Sequence, residues 1–189
     1  MDFFDTLCKR RSVRKYLPDP VPPADITRIL QAANMAPSAM NHKPWEFLVV
    51  TGDLIRELGV SFERVVDRIQ KTRGEELPAE VVTFARTYGG APVAIVVLCT
   101  TSDLPNFQRA YLESASAAME NLLLAATALG LGTCWMTGPL EDEPFLREIL
   151  EIPEDRTLVA ITPLGYPQEM PGPHSVVDPD LEKKIHWIS

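Results

Sequence analysis

The chain has 189 residues, 46% of them apolar, and a formal net charge of −8. That length accommodates one domain, or at most two small ones, with enough apolar side chains for a continuous core, which excludes a disordered chain. The acidity opposes nucleic acid or an anionic membrane as the main partner, and no run of about 20 apolar residues marks a membrane span.

The opening Met1-Asp2-Phe3-Phe4-Asp5 carries acids where a secretory signal carries bases, so a cytoplasmic protein is expected. Cys8, Cys99 and Cys134 are odd in number and far apart, and they read as reduced core residues. Phe3, Phe4 and Leu7 have helical spacing behind a capping Asp2, and the helix runs into the basic stretch Lys9 to Lys15. Four prolines between Pro18 and Pro23 force an extended connection. A second helix then carries Ile26, Ile29, Leu30 and Ala33 and stops before Pro37.

Trp45 to Val50 reads as a strand ending at Gly52, with Asp53 placed to cap the next helix, Leu54 to about Ile69. The charged run Lys71 to Glu80 reads as a loop, and Val81 to Tyr88 as a short helix broken by Gly89-Gly90. Pro92 to Cys99 is almost wholly apolar and β-branched, as expected of a central strand covered on both faces. Gln108 to Leu129 is the longest helix, ended by Gly130, with small residues Ser114, Ala115, Ala118, Ala125 and Ala126 that let another backbone approach. A short strand, Thr133 to Met136, a helix around Pro144 to Leu150 and a strand, Thr157 to Leu164, follow. The Pro-rich tail has one more helical turn near Leu181 to Ile185. No composition shift or repeat divides the chain, so a single α+β domain, 1–189, is expected.

Several chemistries lack their motifs. Gly130-Leu131-Gly132 runs from helix to strand without a third glycine, the reverse of a dinucleotide fingerprint. His42, His174 and His186 share no metal-ligand spacing, so no metal is expected, and neither a nucleophile elbow nor a phosphate-binding loop occurs. Two constellations remain. Arg10-Arg11-Ser12-Val13-Arg14 gathers three guanidinium groups and a hydroxyl, a set able to grip a phosphate, although a solvated cluster is the plainer account. Pro37-Ser38-Ala39-Met40-Asn41-His42-Lys43-Pro44-Trp45 can offer hydroxyl, amide and backbone groups to a polar ring, or simply cap a loop.

The order of these pieces resembles the FMN-dependent nitroreductase family: Arg10 to Arg14, then Pro37 to Trp45, then a helix of small residues running into Gly130 to Met136, then Leu164-Gly165-Tyr166-Pro167. The resemblance implies a central mixed, mainly antiparallel sheet flanked by helices, in a homodimer with an extended C-terminal tail and two FMN molecules at the interface. By position, Arg10, Arg11 and Ser12 would hold the phosphate and ribityl chain and Arg14 the pyrimidine side. Pro37, Ser38, Ala39 and Asn41 would come from the other subunit, and Thr137-Gly138 would bring a backbone N–H near flavin N5. NADH or NADPH would be the donor and a small molecule such as a nitroaromatic or quinone the acceptor, by ping-pong kinetics with no catalytic side-chain acid or base. Reductive dehalogenation, flavin breakdown and flavin binding without turnover are alternatives on the same fold. The segment from about Arg64 to Phe107, with the tail, would set the substrate, and Trp45, Phe107, Tyr111 and Trp135 are candidate aromatic neighbours. The chain departs from the family at Ala39 and Lys43. It also lacks basic residues at Pro171 to Val176, where His174 and Ser175 are candidate substitutes.

Overall fold

The structure is a computed structural model, which describes residues 2–172 and 178–188. Helix α1 (Phe3–Lys9) starts where the Asp2 carboxylate accepts from the Phe4 N–H. Helix α2 (Pro23–Ala33) uses Pro23 at its first position, where the missing N–H costs nothing. Strand β1 (Trp45–Thr51) turns at Gly52, whose φ of 63° favours glycine, into α3 (Asp53–Arg73). Asp53 is therefore the first helical residue and makes no cap. The helix also runs through part of the expected charged loop, because the left-handed stop is Gly74. Helix α4 (Ala79–Thr87) leads to β2 (Val93–Thr100), and α5 (Pro105–Ala128) ends before a left-handed Gly130.

Strand β3 is only Gly132–Thr133, with Met136 returning to the sheet through a single bridge to Ile161, so the expected Thr133 to Met136 strand is interrupted. Helix α6 (Glu143–Leu150) and strand β4 (Arg156–Gly165) complete the regular elements, and a 3₁₀ turn spans Leu181–Lys184.

The four strands form one antiparallel sheet in the order β1-β2-β4-β3. A parallel bridge from Ser12 to Thr133 adds the one mixed element among the described residues. Alternation along β2 divides the core. Val93, Ile95, Val97 and Cys99 face α2 and α5, whereas Ala94, Val96 and Leu98 pack with Leu58, Tyr88 and Leu146 from the opposite layer. The register slips between Val97 and Leu98, and this bulge lets consecutive Val159 and Ala160 of β4 both join the α5 layer. Cys99 and Cys134 are buried as expected, and Cys8 is exposed. Among the described residues no helix is long and apolar enough to cross a membrane.

Candidate functional site

After α1 the chain becomes extended and lies along the end of the sheet. Val13 N–H donates to Thr133 O (2.9 Å), Tyr16 N–H to Gly89 O (2.9 Å) and Leu17 N–H to Tyr166 O (2.8 Å), while Gln168 N–H returns to Lys15 O (3.0 Å). The basic segment is thus laced to three separate parts of the fold. Close fit depends on missing side chains: a Cβ on Gly132 would stand 2.8 Å from Val13 Cγ2, and one on Gly89 (φ 68°) would overlap the Arg14 carbonyl. Buried Tyr16 anchors the strip from within, its hydroxyl donating to Val13 O at 2.7 Å.

Extended backbone sends alternate side chains to opposite faces, and this separates the arginines. Arg10, Ser12 and Arg14 act on Cys134: burial pushes its thiol pKa up, against the Arg14 charge, a hydrogen bond from Ser12 and the Arg10 charge. Arg11 instead folds back to give its Nη1 to Cys8 O (2.6 Å) and Arg10 O (2.8 Å), satisfying carbonyls at the end of α1. It lines a separate cavity of about 460 Å³ with Lys9, Val13, Leu131 and Met170. Arg10 lies 3.8 Å from Glu120. Among the described residues Arg14 has no carboxylate partner, and its Nη1 reaches only Ser12 O at 3.2 Å.

Arg14 opens onto a larger cavity of about 870 Å³, which also holds Thr137 and Gly138. Its walls include Phe62 from α3, Glu80 and Phe84 from α4, and Trp135. Phe62 meets Phe84 edge to face at 6.4 Å and Tyr88 at 6.1 Å, which packs the α3 and α4 sides of this wall together. Gly138 opens a 3₁₀ turn, so its N–H is a donor that helical geometry leaves free, and among the described residues the Thr137 N–H donates to no protein acceptor. Lys15 stands at the rim, tied to Glu169 at 2.7 Å; that hydrogen bond and charge raise its pKa.

Of the residues singled out in the sequence, Arg14, Thr137 and Gly138 share this cavity, Ser12 and Arg10 flank it through Cys134, and Arg11 faces away. Pro37, Ser38, Ala39 and Asn41 lie outside the lining of both cavities, in the loop between α2 and β1, where Ala39 N–H donates to Ser114 Oγ at 3.1 Å. Trp135 lines the cavity. Trp45 is a core residue, its Nε1 donating to Asn34 Oδ1 at 3.1 Å, and Phe107 pairs with Tyr111 at 6.1 Å away from the cavity. Phe62, Glu80 and Phe84 were not expected as site residues: Phe62 and Phe84 fall in expected helices and Glu80 at the end of the expected charged loop, and both Glu80 and Phe84 lie in the segment expected to set the substrate. His174 and Ser175 lie outside the described residues.

A family model described as the nitroreductase family matches residues 7–166. The chain is 39% identical over 192 residues, covering 99% of itself and 88% of the relative, to a Methanothermobacter thermautotrophicus protein named by inference NADH dehydrogenase/NAD(P)H nitroreductase. It is 30% identical to the iodotyrosine deiodinase of Thermotoga neapolitana, covering 88% of this chain and 89% of that one. Among solved structures it resembles a Bacteroides fragilis nitroreductase with bound FMN at 25% identity and TM-score 0.75, covering 100% of both chains. A model match across most of the chain, joined to this degree of identity over nearly full length, makes the protein a member of the nitroreductase family.

Proposed function

We propose that the chain, as a single domain over residues 1–189, is an FMN-dependent oxidoreductase that works as a homodimer and uses NADH or NADPH to reduce a small aromatic acceptor. The observation that carries this reading is the 870 Å³ cavity. It has aromatic walls, a guanidinium with no carboxylate partner among the described residues, and free backbone donors at Thr137-Gly138. A flat, hydrogen-bonding heterocycle with an anionic end fits that set of groups, and the volume suits a cofactor-sized ligand.

Arg10 and Ser12 would hold the phosphate and ribityl chain, with Arg11 reaching the same end only by leaving its carbonyl partners on α1. Arg14 would meet the pyrimidine side, where a fixed positive charge in a partly dry cleft favours added negative charge. The Gly138 N–H would sit by N5. Pro37, Ser38, Ala39 and Asn41 are outside this chain's own cavity, which supports their serving the site of a second copy. When bound, FMN supplies the two-electron chemistry, and the chain's residues bind, orient and shield it. If donor and acceptor share the cavity that Arg14 lines, they would occupy it in turn, giving ping-pong kinetics.

The test is a spectrum of the purified protein followed by anaerobic addition of NADH or NADPH. A flavin spectrum that bleaches, and recovers when a nitroaromatic or quinone is added, is the expected result. A colourless protein that takes up no FMN overturns the reading, and bound flavin that does not bleach leaves a binding module. The kinship with the Thermotoga neapolitana iodotyrosine deiodinase supports reductive dehalogenation as the second reading. Halide release from a halogenated phenol, faster than nitro reduction, would favour it, and loss of the flavin itself on aeration would favour flavin breakdown.

A further inference from the structure

The loop between α2 and β1 holds three left-handed residues other than glycine within four positions: Met40 (φ 50°), Asn41 (φ 59°) and Lys43 (φ 48°). Asparagine tolerates that region, but the Cβ of methionine or lysine crowds the backbone there, so the loop left alone would relax. Strain of this kind persists only where surrounding contacts over-determine it.

Some of those contacts lie within the loop. Asn41 N–H donates to Ser38 O (3.0 Å), and Lys43 N–H donates to Ser38 Oγ (3.0 Å). The others come from α5. Ser114 Oγ accepts from Ala39 N–H at 3.1 Å, and its own proton goes to Ala110 O at 2.6 Å, which fixes the hydroxyl's direction. Three residues earlier, on the same face of the helix, the Tyr111 hydroxyl pairs with His42 Nδ1 at 2.9 Å, and its ring is braced edge to face by Phe107. Ser114 is buried and its bond to Ala39 is partly so, whereas the Tyr111–His42 pair lies at the surface, and α5, at 24 residues, is the longest helix described. Strained backbone is thus bolted at two points, one on each side of Met40 and Asn41, to a rigid element.

We propose that Tyr111 and Ser114 are positioning residues, which hold the Ser38–Lys43 loop in its strained form so that it is already shaped to meet the flavin of the second subunit. The inference rests on the assignment of this loop to the partner's site given above. Each acts through the loop backbone or His42, and so removes the need to order the loop when the flavin arrives.

The experiment measures FMN affinity of the full-length protein by quenching of flavin fluorescence, together with the melting temperature without FMN, for wild type, Tyr111→Phe, Ser114→Ala and Tyr111→Phe/Met40→Gly. Each single variant is expected to raise Kd about 3- to 10-fold, the range of one net hydrogen bond, with little change in melting temperature. Glycine adopts the left-handed region freely, so the double variant should recover at least half of what Tyr111→Phe loses. Two unchanged Kd values in a protein whose wild type binds FMN would overturn the positioning role alone. So would a loss that glycine does not restore and that tracks a fall in melting temperature. Failure of the wild type to bind FMN at all would remove the parent reading and this inference with it.

Discussion

Gly89 and Arg14 meet backbone to backbone: a side chain on Gly89 would collide with the Arg14 carbonyl, and the Gly89 carbonyl accepts the Tyr16 N–H two residues further on. Gly89→Ala therefore adds positive-φ strain to a clash with backbone that cannot rotate away. We expect a loss of about 3 kcal/mol or more in stability, read by thermal melting. Flavin affinity should fall further than that of a variant equally destabilised elsewhere, because the displaced strip carries Arg10, Ser12 and Arg14.

Arg14→Ala removes a cation that has no competing carboxylate among the described residues, so its effect should fall on the ligand rather than on the fold. A charge-assisted hydrogen bond is worth about 1.5–3 kcal/mol. If it acts mostly on the reduced cofactor, the two-electron potential should drop by about 30–60 mV, measured by equilibration with a reference dye. Arg14→Lys should keep part of the shift, since it retains charge and loses the planar fork.

Among the described residues the Tyr88 hydroxyl has no hydrogen-bond partner although the side chain is fully buried, and burial pushes its pKa far up. Deleting that oxygen leaves the ring contacts with Phe62 intact. Tyr88→Phe is expected to stabilise the protein by about 1 kcal/mol in a denaturant titration, and a loss of similar size would mean that the hydroxyl has a partner, such as a buried water.

Burial raises the Cys99 thiol from its ordinary 9.0 up to about 11, and the Cys134 thiol moves in the same direction. The folded state thus favours the neutral thiol. The resulting stability is fully present below pH 9 and is lost as pH rises toward 11, where the unfolded chain gives up protons that the folded one keeps. Under reducing conditions wild type should lose about 2–3 kcal/mol more than Cys99→Val across that interval. Parallel melting curves of the two proteins from pH 8 to 11 would contradict this.

Where local chemistry decided the outcome, the sequence was readable. The apolar run of β2 predicted a buried central strand, the small residues before Gly130 predicted a close-packed helix, and Asp2 predicted a helix start. Errors arose where two local signals competed. The charges after Lys71 suggested a loop, but helix continues until Gly74 supplies a left-handed stop, and Gly52 took the boundary position expected of Asp53. The site was legible as a set of residues and illegible as a shape. Nothing in Arg10 to Arg14 reveals that Arg11 turns back onto α1, because that depends on Thr133, Gly89 and Tyr166 drawing the segment straight. Phe62 and Phe84 become one wall only through the packing of α3 on α4.

The strip from Ser12 to Leu17 makes its hydrogen bonds with residues as late as Gln168. During synthesis Arg10 to Arg14 emerge long before Thr133, Tyr166 and Gln168, so their seat does not exist until that later stretch has been made. Such distant pairings form slowly, and the arginine strip must wait in solution for its later partners to arrive. A nascent chain halted before Gly165 should therefore retain no grip on a flavin, however complete its arginine cluster.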